Sequence, residues 1–142
     1  MTTSKWTAPE AIATALSTEL NALGNGSISA ASSAIDNETG LYLYLSVELA
    51  LASLTPTGVP YCNLYLIKSV DGTNFEDLSG SMGHEVIAVF PMATGAAAKR
   101  IAIANILIPP LQFKLAVENQ TGVSLAASGS TLKYRRHNEQ QV

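Results

Sequence analysis

The stretch Leu41-Tyr-Leu-Tyr-Leu-Ser-Val-Glu-Leu-Ala-Leu-Ala52 decides the fold of this chain. Large apolar residues fill every second position, and tyrosine, serine, glutamate and alanine fill the positions between them. Because successive side chains of a strand point to opposite faces, this alternation predicts a strand with one buried face; a helix would scatter the same leucines around its circumference. The residues predicted to face inward are Leu41, Leu43, Leu45, Val47, Leu49 and Leu51.

Short apolar segments separated by turn signals continue after this strand. Asp71–Gly72 suits a two-residue turn, which predicts a hairpin between 61–70 and 73–78. In the segment 99–108 the isoleucines change phase beyond Asn105, and this slip predicts a β-bulge there. Further strands are predicted over 85–90, 111–118, 123–126 and 131–136.

The segment before the first strand has helical rather than alternating spacing. Thr7 and Glu10 form a T-x-x-E capping box, and Gly24 is a helix-ending signal. Between them Ile12, Leu16, Leu20 and Leu23 recur at helical spacing, which predicts one N-terminal helix.

The succession of short strands without alternating helices predicts an all-β fold. We expect an antiparallel β-sandwich or jelly roll of about eight strands, preceded by the N-terminal helix. A chain of 142 residues fits one domain, 1–142. Within it we predict an arm and helix over 1–26, a sandwich over 27–136 and a tail over 137–142.

The composition is poor in charge. Charged residues make up 13% of the chain, against about 25% in typical soluble domains. A surface of Ala, Ser, Thr and Asn is easily desolvated, so we predict that partners cover much of the exterior, the alternative being a neutral monomer. A net charge of −3 argues against nucleic acid as a partner. No apolar run approaches the roughly 20 residues of a membrane span, so no membrane partner is expected.

No catalytic motif stands out, and we predict that the chain is not an enzyme and has no cofactor or metal. The two histidines, His84 and His137, lie far apart in sequence, and Cys62 lies in an apolar strand where a packed thiol is expected. Two alternatives stay open: a Glu76–Glu85 carboxylate pair without positive support, and calcium bound by loop oxygens. The calcium alternative would use Asp71, Asn74, Glu76 and Asp77.

Aromatic and basic residues are the candidate partner contacts. Tyr is enriched at protein interfaces, although Tyr42, Tyr44, Tyr61 and Tyr65 could instead form a shelf for sugar. The end of the last predicted strand concentrates positive charge that could bind an acidic surface or simply be solvated. The predicted contacts are Trp6, Tyr42, Tyr44, Arg135, Arg136 and His137.

Four stretches of the chain resemble small virion proteins of tailed bacteriophages. They are 15–26 (ALSTELNALGNG), 34–44 (AIDNETGLYLY), 69–77 (SVDGTNFED) and 132–140 (LKYRRHNEQ). Phage proteins of this size and type are similar to capsid cement, or decoration, proteins. The resemblance implies a jelly-roll or related β fold and no catalytic residues.

The resemblance also implies a place of action and a set of partners. A cement protein forms homodimers or homotrimers on the capsid exterior and clamps subunits of the major capsid protein. Candidate arms for such a role are 1–6 and 135–142, and the tyrosine face of 41–52 is a candidate self-association surface. Two other functions stay open: a carbohydrate-binding module on a phage fibre or spike, and a structural part of the tail or neck.

Overall fold

The computed structural model describes residues 1–78 and 84–142, and these residues form an all-β fold, as predicted. A short 3-10 helix, Thr18–Leu20, follows the second strand. The strands are β1 (Ser4–Trp6), β2 (Ala13–Leu16), β3 (Ile35–Asp36), β4 (Tyr44–Leu54), β5 (Tyr61–Ser69), β6 (Glu85–Pro91), β7 (Ala97–Leu107), β8 (Gln112–Gln120), β9 (Thr131–His137) and β10 (Glu139–Gln141).

Eight of the strands form two antiparallel sheets with a shared core, an arrangement consistent with a β-sandwich. Sheet I has the order β2-β9-β4-β7, and sheet II has the order β3-β8-β5-β6. The remaining strands, β1 and β10, pair with each other as a two-stranded terminal ribbon, so the predicted tail is partly strand. All of these pairings are antiparallel.

The strand pairing follows one rule. The first strand pairs with the tenth, the second with the ninth, the third with the eighth, the fourth with the seventh and the fifth with the sixth. The chain is therefore one long hairpin that is rolled up, with β5 and β6 at its tip. Two further pairings, β4 with β9 and β5 with β8, close the roll into its two sheets.

The core lies between the inner faces of the two sheets. Strand β4 supplies Leu45, Val47, Leu49 and Leu51, all buried, which confirms their predicted inward direction. Burying a leucine in this way contributes about 1.5–3 kcal/mol. The opposing sheet supplies Cys62, Leu64, Leu66, Ala88, Phe90, Phe113, Leu115 and Val117.

The prediction was wrong for Leu41 and Leu43, which are exposed. The strand begins only at Tyr44, because a side-chain clamp holds the preceding turn. The Asn37 side-chain amide donates to the Tyr42 carbonyl oxygen at 2.9 Å, and its Oδ1 accepts from the Tyr42 N–H at 3.0 Å. Leu41 has a φ of 49°, which breaks the alternation before β4.

The predicted N-terminal helix was also wrong, because both of its capping residues bind elsewhere. The Thr7 hydroxyl donates to the Asn138 carbonyl oxygen at 2.9 Å, and the Glu10 carboxylate accepts from the Arg136 N–H at 3.0 Å. These bonds to the other end of the chain lay the segment along β9, where Ala13–Leu16 pairs as β2. Tertiary pairing outweighs a local helical preference here.

Two of the predicted strands are not strands in the structure. Segment 73–78 folds as a loop whose Glu76 N–H donates to the Lys68 carbonyl oxygen at 3.0 Å, so the hairpin partner of β5 is β6 instead. Segment 123–126 belongs to a turn that the Asn119 side-chain amide holds through the Leu23 and Val123 carbonyl oxygens, each at 2.8 Å.

The bulge predicted at Asn105 is confirmed. Ile103 pairs with Val47 and Ile106 pairs with Leu45, so two residues of β7 face one residue of β4. Asn105 has a φ of 60°, a backbone conformation that asparagine tolerates better than most residues. The extra residue returns Ile106 to the inward side of β7, where it packs against the core.

Candidate partner-binding surface

The six predicted contact residues fall into two groups on opposite faces of sheet I. Because side chains alternate along a strand, the register of β4 with β9 decides which residues share a face. Tyr44 pairs with His137 and Ser46 pairs with Arg135, so these side chains share the outer face. Arg136 pairs with Leu45 and therefore points to the inner side.

Three of the predicted contacts form an aromatic cluster, Trp6, Tyr44 and His137, at one end of the outer face. The Trp6 ring lies edge-on to Tyr44, at 5.5 Å between centroids, and to His137, at 5.1 Å. Tyr44 and His137 stack on each other at 5.4 Å. Each such pair contributes about 0.5–1.5 kcal/mol beyond the area it buries.

The terminal ribbon puts Trp6 in this position. Trp6 pairs with Glu139 of β10, which follows β9 almost directly, so the ribbon returns the indole onto Tyr44 and His137. The Trp6 side chain nevertheless stays 56% exposed. His137, which was predicted as a contact, is buried beneath it, so within the aromatic cluster it is Trp6 that can meet a partner directly.

Arg135 extends the same surface beside the aromatic cluster. Its guanidinium donates from Nε and Nη2 to the Glu10 carbonyl oxygen, at 3.0 and 2.9 Å. A shallow groove of about 260 Å³ runs between Trp6, His137 and Arg135, with Pro9 and Asn105 at its sides. Aromatic faces next to a guanidinium suit a partner that offers both apolar and acidic groups.

The other two predicted contacts, Tyr42 and Arg136, form an arginine cluster with Glu10. Arg136 Nε donates to Glu10 Oε1 at 2.7 Å and Nη2 to Oε2 at 3.0 Å, a bidentate ion pair. The guanidinium also lies 4.7 Å above the Tyr42 ring. Burial disfavours the charged guanidinium, but the hydrogen bond and charge of Glu10 outweigh burial and raise the pKa of Arg136.

These contacts give the arginine cluster a structural role inside the chain. Arg136 is 11% exposed at its side chain, and its Nη1 donates to the Asp36 carbonyl oxygen at 2.6 Å. The cluster therefore joins the N-terminal segment, β3 and β9. Strand alternation puts Arg135 and Arg136 on opposite faces of β9. The sequence alone could therefore have predicted that one arginine is on the outer face and the other points inward.

A buried polar pair on sheet II was not singled out from the sequence. The Tyr65 hydroxyl donates to Glu118 Oε2 at 2.6 Å, and Gln120 Nε2 donates to Oε1 at 2.6 Å. Burial, and next the Glu118 carboxylate, raise the pKa of Tyr65 to about 12. Alternation predicts Glu118 on an outward face, but it does not reveal that the side chain is buried there.

In the loop considered as an alternative calcium site, the Asp71 carboxylate stabilises a turn. Asp71 Oδ1 accepts from the Thr73 and Asn74 N–H groups at 2.8 and 2.7 Å, and Oδ2 accepts from Asn74 Nδ2 at 2.8 Å. These bonds, those from Asn74 first, lower the pKa of Asp71. Among residues 1–78 and 84–142 there is no group of three or more His, Cys, Asp or Glu that could hold a metal ion.

Cys62 is buried in the core, and burial raises the pKa of its thiol to about 11. The thiolate, which is the nucleophile, is therefore scarce at neutral pH. The His84 ring lies edge-on to the Tyr65 ring, with 6.0 Å between the two ring centroids.

Within the described ranges, no helix has the length and apolar character needed to cross a membrane. No protein-family model matches the sequence, and the comparison with curated proteins gives no match.

Proposed function

We propose that this chain is a structural protein of a tailed-bacteriophage virion, a capsid cement protein that self-associates and clamps subunits of the major capsid protein. It acts on the capsid exterior through buried area and not through catalysis, a cofactor or nucleic-acid binding. The resemblance of 15–26, 34–44, 69–77 and 132–140 to phage virion proteins supports this place of action.

Strand β7 carries the proposal. It is an edge strand of eleven residues, and not one of them is buried. Leu107 is 70% exposed, and the neighbouring edge strand β6 adds the exposed side chains of Val86 and Val89. A long apolar edge is a template for pairing and aggregation unless something covers it. A structural partner that covers β7 in the assembled particle removes this liability.

The strand order supports the finer part of the fold prediction, a jelly roll. Jelly rolls are double-sheet folds of eight strands built from two Greek keys, and they are common in viral capsid domains. Strands β2 to β9 form two sheets of four, and every connection along the chain except β5–β6 passes from one sheet to the other. A hairpin rolled in this way is the arrangement expected of a jelly roll.

The terminal ribbon suits the proposed role of the ends as arms. All six residues of β1 and β10 are exposed. An isolated two-stranded ribbon is marginally stable in water, so a ribbon this short gains from a partner that covers it. Its backbone edges and the aromatic cluster at its base offer such a partner a ready contact.

Locating the chain on the particle tests the proposal. Purified virions of the phage that encodes the chain should contain it in a fixed ratio to the major capsid protein. Cryo-electron microscopy should place its density on the capsid exterior, bridging neighbouring subunits. Density in the tail or neck would support that alternative, and absence from the particle would contradict a virion role.

A carbohydrate-binding module is the second candidate, and the exposed Trp6 beside Tyr44 favours it. Sugar platforms commonly use an exposed tryptophan, and this chain has one at its surface. A glycan array probed with the wild-type chain and with Trp6→Ala distinguishes the two functions. Hits that disappear with Trp6→Ala would support sugar binding, whereas an array without hits would remove this candidate.

A further inference from the structure

Charge is segregated in this molecule. Sheet I carries Lys99 and Arg100 on β7, Lys133 and Arg135 on β9, and one carboxylate, Glu48 on β4, a net charge of +3. The register places Arg100, Glu48, Lys133 and Arg135 on the outer face, which we call the basic face. Arg136 does not add to it, because Glu10 neutralises it inside the arginine cluster.

The opposite charge gathers where β5 ends. Ser69 and Asp36 both pair with Gln112, so the loops after β3 and β5 lie side by side. A Cβ placed on Gly72 would stand 3.5 Å from both carboxylate oxygens of Glu38. We call this region the acidic end; it consists of Asp36, Glu38, Asp71, Glu76, Asp77 and Glu85, all exposed.

Lys68 offsets little of this charge. Its Nζ lies 3.8 Å from Glu76 Oε1 and 3.1 Å from Glu85 Oε2. A second lysine, Lys114, lies in the same region with its Nζ 4.3 Å from the centre of the Phe75 ring, so the acidic end has a net charge of −4. The basic face carries a net charge of +2, because Lys99 pairs with inward-facing Leu51, so the two regions differ by six charges within a chain whose net charge is only −3. Such separation favours contact between unlike regions of two molecules.

The two regions also complement each other in shape. An apolar groove of about 220 Å³ crosses the basic face. Exposed Ile12 and the small residues Ser46, Ala102 and Ala104 line it, together with two cations, Lys133 and Arg135, and one carboxylate, Glu48. The acidic end presents Val70, which is 84% exposed and directly precedes Asp71. A protruding valine flanked by carboxylates matches an apolar groove flanked by cations.

We propose that the acidic end of one copy docks on the basic face of a second copy, with Val70 in the apolar groove. The contact joins unlike surfaces, so it is heterologous and either closes into a ring or continues as a chain of copies. This inference deepens the self-association in the proposed function and rests on it. It names the surfaces that meet.

A charge-swap experiment tests the contact. The first variant, Arg100→Glu/Lys133→Glu, makes the basic face acidic, and the second, Glu38→Lys/Asp77→Lys, makes the acidic end more basic. All four side chains lie outside the core, and neither variant alters a turn-capping carboxylate or the Arg136–Glu10 pair. Ser124→Glu, at an exposed position in the turn between β8 and β9, is the control for a change of charge alone.

The association of each protein is measured by sedimentation velocity over a concentration series, with circular dichroism as the check of folding. We expect each double variant alone to associate at least about tenfold more weakly than wild type, because the first sets like charges against each other and the second removes most of the attraction. An equimolar mixture of the two should regain association in pairs, since the unchanged acidic end of the first variant can dock on the unchanged basic face of the second. The control should behave as wild type.

Two further measurements separate charge from shape. Raising the salt concentration to about 1 M shortens the Debye length to about 3 Å and should weaken wild-type association. Val70→Ser removes the apolar side chain without a change of charge, and it should weaken association while the thermal midpoint stays unchanged.

Three outcomes would overturn the inference. If both double variants associate as wild type does, self-association stands and only these surfaces are wrong. If each is weakened but the mixture stays dissociated, the two regions do not face each other. If the wild-type chain remains a monomer at every concentration, the inference fails together with the self-association in the proposed function.

Discussion

Strands β4 and β7 are each eleven residues long, pair with each other and carry alternating apolar residues, yet they are packed very differently. In β4 every second residue from Leu45 to Leu51 is buried, because neighbouring strands flank it on both sides. In β7 the inward isoleucines are only half-buried, and the other edge has no strand partner among the residues that the structure describes.

Apolar alternation therefore predicts which side chains can be buried. It does not predict whether a single copy of the chain buries them. The pattern of β4 is fully used by the core of one molecule. Strand β7 carries more apolar side chains than the core of one molecule buries, as expected of an edge strand that meets a partner. The predictions below test this difference between the two strands.

The largest effect is expected from truncating matched core-facing residues of the two strands. Leu49→Ala in β4 should reduce the free energy of unfolding by about 2–5 kcal/mol, because the cavity it leaves is fully enclosed. Ile103→Ala in β7 should cost about 1 kcal/mol or less, since solvent already reaches its side chain. Urea denaturation of the dilute chain measures both, and equal losses would show that β7 is packed as tightly as β4.

The second-largest difference is expected between the ion pairs of the two regions, in how much each contributes to the free energy of unfolding. Arg136→Ala should reduce the free energy of unfolding by about 3 kcal/mol, because it leaves the Glu10 carboxylate half-buried without its partner. Arg100→Ala on β7 should change it by less than about 1 kcal/mol. Arg100 is 75% exposed at its side chain and lies 3.8 Å from Glu48. Thermal and urea denaturation of both variants check this order, and a reversed order would contradict it.

Thiol reactivity compares core and edge directly. Burial raises the pKa of Cys62 from 9.0 to about 11, so at pH 8 it should hold about a hundredfold less thiolate than an ordinary cysteine. The thiol introduced by Ala102→Cys, on exposed β7, should react with a maleimide at the ordinary rate while Cys62 stays unmodified. Mass spectrometry over time reads both rates, and rapid modification of Cys62 in the folded chain would contradict its burial.

The same pKa shift predicts a pH dependence with a definite sign. The folded state holds the Cys62 proton more tightly than the unfolded state does. Its contribution to stability is therefore complete below pH 9 and is lost as the pH rises from 9 to about 11. Cys62→Ala should flatten the stability profile over that interval.

The smallest effect on the isolated chain is expected at the exposed end of β7. Leu107→Lys should change the free energy of unfolding by no more than about 0.5 kcal/mol, because the side chain is already in water. In the assembled particle the same lysine should weaken binding to capsids if a partner covers β7. Val59→Lys, in an exposed loop, is the matched control, and equal capsid binding by both variants would contradict the proposed role of β7.

Alternation and phase were enough to predict two local features of the sheets. The buried face of β4 and the bulge at Asn105 follow from side-chain direction alone, which does not depend on the rest of the chain. The Asn37 clamp and the Asn119 turn could not be predicted in this way. Besides its bonds to Tyr42, the Asn37 amide donates to the Pro109 carbonyl oxygen at 2.8 Å, and the Asn119 amide donates to that of Leu23. No spacing rule reveals partners so distant in sequence.

The N-terminal helix fails for the same reason. Thr7 and Glu10 have the spacing of capping residues, but in the folded chain they bind Asn138 and Arg136 instead. The aromatic cluster could be predicted in part. Trp6, Tyr44 and His137 were each predicted as contacts from their chemistry, whereas their meeting depends on the β4–β9 register and on the ribbon.

The rolled hairpin has a consequence for how quickly the chain folds. Among the paired strands of the described residues, only β5 and β6 are consecutive in the chain, while the outermost pair brings Ser4 against Gln141. Loop-closure entropy makes such distant pairings slow, and folds rich in them take milliseconds to seconds. We expect the tip to form early and the terminal ribbon to close last. The surface that bears Trp6 is then complete only in a fully folded molecule, which delays assembly until folding has finished.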